Sequence, residues 1–124
     1  MTEELIDKKE DIDKIINKLR GISFNQLIKH SHYEFSILEK NTNESLIENI
    51  YPKFDLVKLI KKRERPNKKI SYDLYYELSD DTFVIIVLSF QTNPPILINA
   101  FHVKRNFKKF RKNLSKYYGR FLKY

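Results

Sequence analysis

A chain of 124 residues has room for one domain with a modest core. At 41% hydrophobic and 32% charged it is too apolar for a disordered chain and too polar for a membrane protein, and the lack of cysteine excludes disulfides, thiolate metal sites and cysteine nucleophiles. The net charge of +8 points to an anionic partner and is unevenly carried: residues 1–50 hold seven basic and ten acidic side chains, residues 51–124 seventeen and six.

Along the chain, the first predicted element is a helix over residues 2–19. Leu5, Ile12, Ile15, Ile16 and Leu19 form its apolar stripe, and Gly21 stops it. A second helix is expected from Phe24 to Leu38, and Asn41-Thr42-Asn43 breaks the chain before a short third helix from Glu44 to Ile50, ended by Tyr51-Pro52. The amino terminus shows no basic and apolar pattern of a secretory signal, so a cytoplasmic protein is expected.

After Pro52 the period changes to alternation, and four strands are predicted: Phe54 to Lys62, Ile70 to Leu78, Thr82 to Phe90 and Ile96 to Val103. Short turns between them imply a mostly antiparallel meander. The run from Phe83 to Phe90 falls far short of the roughly 20 residues a membrane span needs, so it reads as a buried strand and no membrane association is expected. Residues 105–122 place Phe107, Phe110, Leu114, Tyr117, Tyr118 and Phe121 on one stripe of a basic helix suited to docking on the sheet. The expected fold is thus a single α+β domain over residues 1–124, with amino-terminal helices, a four-stranded mostly antiparallel sheet and a carboxyl-terminal amphipathic basic helix.

The two basic clusters are the clearest functional signal. Lys61, Lys62 and Arg65 in the first, and Lys104, Arg105, Lys108, Lys109, Arg111 and Lys112 in the second, are candidate nucleic-acid contacts, because single-sign fields steer polyanions. With only two glycines, Gly21 and Gly119, a glycine-rich phosphate loop is excluded, and no metal or cofactor is expected. RNA is preferred to DNA as the partner because its 2′-hydroxyl is an internal nucleophile, needing only a base, an acid and cations around the phosphate. His32 and His102 are candidate acid and base, with Tyr72 and Arg63 as further catalytic candidates; His30 lies close to His32. Each has a plainer alternative: a sheet-face tyrosine, a satisfied core histidine, an arginine that blunts a sheet edge. Two other partners remain open, an acidic protein such as an antitoxin meeting the basic face, and a second copy of the chain.

Residues 32–50, opening His32-Tyr-Glu-Phe-Ser36-Ile37-Leu-Glu-Lys40, resemble the start of a family of small proteins with a His-Ala motif, an Arg-Met four residues later, another arginine and a short helix. The following strands, including Tyr72-Asp73-Leu74-Tyr75-Tyr76, extend the resemblance over about residues 32–104. His32 matches the motif histidine, Lys40 stands for the second arginine, and Ser36 replaces the first. That family is grouped with the barnase, EndoU, colicin and RelE-like fold. The resemblance implies a metal-independent ribonuclease or toxin acting on RNA; the alternative is a nucleic-acid-binding or regulatory protein that uses the same basic surface without chemistry.

Overall fold

The computed structural model describes residues 2–39 and 42–122, with side-chain surroundings given through Leu114. Its elements are β1 (Thr2–Ile6), α1 (Lys9–Ile16), β2 (Ile28–Lys29), α2 (Ser31–Glu39), α3 (Glu44–Ile50), β3 (Val57–Glu64), β4 (Ile70–Glu77), β5 (Phe83–Ser89), β6 (Ile96–Val103) and α4 (Phe107–Leu122). The α+β class agrees with the sequence reading, but the sheet does not. It has six strands in the order β1-β3-β4-β5-β6-β2, and it is mixed rather than a four-stranded antiparallel meander.

Both additional strands come from segments that read as helix. Leu5 lies seven residues before Ile12, as a helical stripe requires, yet β1 pairs antiparallel with β3, Ile6 opposite Ile60 and Leu5 opposite Lys61. Neighbouring strand residues point to opposite faces. Leu5 and Ile6 accordingly pack into the apolar clusters on the two sides of the sheet, and this tertiary gain overrides a weak local preference for helix. Only Lys9–Ile16 remain helical, burying Ile12, Ile15 and Ile16. Gly21, at φ 87, takes the left-handed conformation that glycine adopts without strain.

The predicted helix over 24–38 is interrupted in the same way. A 3-10 turn at Phe24–Gln26, closed by a Ser23–Gln26 capping box, leads into β2, which runs parallel to β6 with Ile28 opposite Ile96. Backbone bonds from Ile28 N to the Pro95 carbonyl and from His30 N to the Leu97 carbonyl fix the extended stretch. Helix α2 begins only after it. Helix α3 has the predicted bounds, and the Asn43 side chain accepts the Leu46 N–H at its start.

The main core lies on one face of the sheet. Ile60, Leu74, Tyr76, Val84, Ile86, Leu88, Leu97 and Ala100 meet α1, Tyr33 of α2, and Ile47 and Ile50 of α3. Two buried tyrosines tie this side together: the Tyr76 hydroxyl donates to the Tyr51 carbonyl (2.8 Å), and the Tyr51 hydroxyl donates to the Ile22 carbonyl (3.0 Å). Burial pushes the Tyr51 phenol up to about 12 and that of Tyr76 well above its ordinary value, so both stay neutral donors.

On the other face, α4 docks Phe107, Phe110 and Leu114 on Leu59, Tyr75, Phe83 and Ile85. The Phe110 ring lies 4.8 Å from that of Phe83 and 5.8 Å from that of Tyr75. Tyr117, Tyr118 and Phe121 of the predicted stripe fall outside the residues whose side chains are described. No helix of the described residues is long and apolar enough to cross a membrane.

Candidate functional site

The sheet face that carries α4 is apolar under the helix and polar beyond it. Strand alternation puts Ser71, Asp73 and Tyr75 of β4 on that face. Tyr75 joins the apolar cluster, whereas Ser71 and Asp73, with Ser89 of β5 and Asn99 of β6, line an open cleft of about 770 Å³. Small polar side chains at the middle of a sheet leave a hollow where larger apolar ones would fill it.

The cleft is walled by basic groups. Arg63 and Arg65 come from β3 and the hairpin after it, and Lys69 from the other arm of that hairpin. His30 and His32 enter where the chain passes from β2 into α2. His30 Nδ1 accepts the His32 backbone N–H at 3.0 Å, so its other nitrogen, Nε2, carries the proton of the neutral ring. On β6 a bulge breaks the alternation: Val87 faces Asn99 but Leu88 faces Leu97, leaving Ile98 unpaired. Ile98 and Asn99 therefore both line the cleft.

Asp73 is the least expected member. Its residue is 2% exposed, and Oδ2 accepts from Arg63 Nη2 at 2.7 Å. The contact is single. Asp73 Oδ1 and Arg63 Nε are both buried, and neither has a hydrogen-bond partner among the described residues. Burial raises the Asp73 carboxyl above its ordinary value, Arg63 and Lys61 pull it down, and Glu3 on β1 adds to the rise. Desolvation is the larger effect.

Of the predicted residues, the structure brings together His32, Arg63 and Arg65, all on this cleft. Lys61 shares the face, pairing with Asp73 across β3 and β4. Tyr72 and Lys62 lie opposite each other on the far face, where the Tyr72 ring packs edge-on against Phe90. His102 also sits away from the cleft: it pairs with Val84 of the main core, and its Nε2 lies 2.9 Å from Thr82 Oγ1, which in turn contacts Asp80 Oδ1. Because the Thr82 hydroxyl donates to the carboxylate, His102 donates to Thr82. Lys104 and Arg105 are exposed ahead of α4, Lys108, Lys109 and Lys112 are exposed on it, and Arg111 is half-buried.

Asp73, Ser71, Ser89 and Asn99 are not among the residues that the sequence marks as candidates, and Lys69 stands out there only as part of the first basic cluster. One signal was present for Asp73, a carboxylate in mid-strand between aromatic residues, in a strand whose length and pattern imply burial. Among the described residues there is no group of three or more histidine, aspartate or glutamate side chains placed to hold a metal ion. Comparison of the chain with family models, with curated proteins and with solved structures finds no match in any of the three.

Proposed function

We propose that this protein binds RNA in the cleft and cleaves it without a metal ion, through attack of the ribose 2′-hydroxyl on the adjacent phosphate. The observation that carries the reading is the convergence of His30, His32, Arg63, Arg65 and Lys69 on one concave polar surface. Transesterification asks for this set. An imidazole takes the 2′-proton or protonates the leaving 5′-oxygen, and guanidinium and ammonium groups neutralise charge growing on the phosphate oxygens. The exposed lysines of α4 extend the basic field outward and would hold the strand by its phosphates. The resemblance of residues 32–104 to a ribonuclease fold supports the same reading, with His32 as the motif histidine.

The test is incubation with labelled cellular RNA in EDTA, followed by gel analysis. His32→Ala and Arg63→Ala should each lower cleavage by about 10²–10⁴-fold, the range for loss of an acid, base or charge stabiliser. Tyr72→Phe and His102→Ala, on the far face, should change it less than about threefold. RNA that is bound yet stays intact with the wild-type protein would sink the catalytic half of the proposal and leave a non-enzymatic RNA-binding protein, a reading favoured by the basic exposed face of α4.

A further inference from the structure

We propose that the cleft takes up a proton on Asp73 when a phosphodiester binds at Arg63. The inference rests on the reading that the cleft is the phosphate site, and adds a regulatory property to it.

Among the described residues Asp73 has one hydrogen-bonded counter-charge, Arg63, held through one of its two oxygens, while the other oxygen is buried without a hydrogen-bond partner. Arg63 is different: its side chain lines the cleft and is 34% exposed against 4% for Asp73, so of the two it is the partner that an incoming anion meets. A phosphate oxygen at Arg63 therefore shares the cation that neutralises Asp73 and sets a second negative charge beside it. Water cannot compensate, because the carboxylate is buried. Protonation removes the repulsion and turns the Asp73 carboxylate, which only accepts, into a group that can also donate.

Few other charges face Asp73. Lys61 and Arg63 approach from β3 and Glu3 from β1. The β5 partner is Val87 and the next residue across is Asn99 of β6, neither of which titrates. Helix α4 turns Phe110 and Leu114 to the adjoining apolar cluster. Arg65, Lys69, His30 and His32 line the same cleft, and comparison of the wild type with Asp73→Asn separates their contribution from that of Asp73.

Linkage is reciprocal: if phosphodiester binding promotes protonation, protonation tightens binding by the same factor. Two unit charges ~6 Å apart at an effective dielectric constant of ~20 set a ceiling of about a hundredfold on this factor. An increase in affinity of about tenfold or more as the pH falls from neutrality into the acid range is the expected result.

The probe is a 2′-O-methyl oligouridylate, which lacks the attacking hydroxyl and has no group of its own that titrates in this range. Binding is measured by calorimetry at low salt in two buffers of different ionisation heat, which counts protons taken up, for the wild-type protein and for Asp73→Asn. The wild type should take up more protons than the variant, by a fraction that peaks between the pH at which Asp73 titrates in the free protein and the higher pH at which it titrates in the complex, and that falls away on either side. Carbon-13 detection of the Asp73 carboxyl in the wild-type protein gives the same answer without any variant. Saturable binding with no change in that carboxyl signal and no difference in proton count overturns the inference while leaving the phosphate site standing. Absence of binding by the wild type overturns the phosphate site, and this inference with it.

Discussion

Replacing Arg63 by glutamine tests the internal electrostatics of the cleft apart from any catalytic role. The substitution removes the guanidinium whose Nη2 lies 2.7 Å from Asp73 Oδ2 and leaves a carboxylate that is 2% exposed. With charge centres ~4 Å apart and an effective dielectric constant of ~20, the lost attraction is ~4 kcal/mol. Screening of the partly exposed arginine reduces this to ~2 kcal/mol. The loss depends on pH in a definite direction. Burial already raises the Asp73 carboxyl, so the native protein holds its proton to a higher pH than the unfolded chain, and stability from this group declines as pH rises through the folded value. Without Arg63 that folded value moves higher still, and the variant goes on losing stability where the wild type has levelled off. Urea denaturation followed by circular dichroism should show a difference of ~2 kcal/mol at about pH 8 that shrinks steadily as the solution is acidified. In the Asp73→Asn background, Arg63→Gln should cost under ~0.5 kcal/mol at any pH. A destabilisation that is constant with pH and persists beside Asp73→Asn would show that Arg63 acts by packing, and the charge argument would fail.

Three further outcomes follow from the fold. Tyr76→Phe deletes a buried hydroxyl and strands the Tyr51 carbonyl, so thermal or urea unfolding should register a loss of about 1–3 kcal/mol. Phe110→Ala removes a half-buried ring seated on Phe83 and Tyr75; a loss of ~2 kcal/mol, below the 3–5 kcal/mol typical of fully buried phenylalanines, is expected in the same assay, and no loss would mean that α4 does not dock there. Hydrogen bonds from Thr82 hold the Asp80 carboxyl below its ordinary range. A lowered carboxyl contributes stability that is present above the unfolded value and lost as pH falls through the folded one, so Thr82→Val should flatten the acid limb of the stability curve; an unchanged limb would remove Asp80 from the account.

The sequence carries much of this fold where a single period runs long enough. Helix α3 matches its predicted bounds, β4, β5 and β6 match within a residue, and β3 starts three residues late because Phe54–Leu56 form a 3-10 turn. The first thirty residues are ambiguous for a physical reason. In β1, Leu5 and Ile6 serve opposite sides of the sheet, a pattern that a helix with Ile12 seven residues on imitates, and β2 is only two residues long. In the site, charge made Arg63, Arg65 and His32 conspicuous. Their separation from Tyr72 and His102 depends on register, which puts Ser71 rather than Tyr72 opposite Arg63 and sends His102 to the side of Val84. Simple alternation along Ile96–Val103 does not hold past the bulge, where Ile98 and Asn99 both turn to the cleft. Asp73 was legible as a mid-strand carboxylate, but which side of β4 would be hollow depends on where α4 ends its cover.

The two outer strands of the sheet, β1 and β2, both come from the first thirty residues, while the strands they flank, β3 and β6, reach as far along as residue 103. During synthesis the material that finishes the sheet is thus made first and must wait, unpaired, for its partners, and β2 cannot be placed until the last strand has left the ribosome. Glutamates at positions 3 and 4 of β1 suit that wait, since a charged segment resists pairing with its own copies. A shortened chain that begins after residue 30 would have lost both margins of its sheet at once, and the bare backbones of β3 and β6 would invite assembly into fibres or swapped dimers.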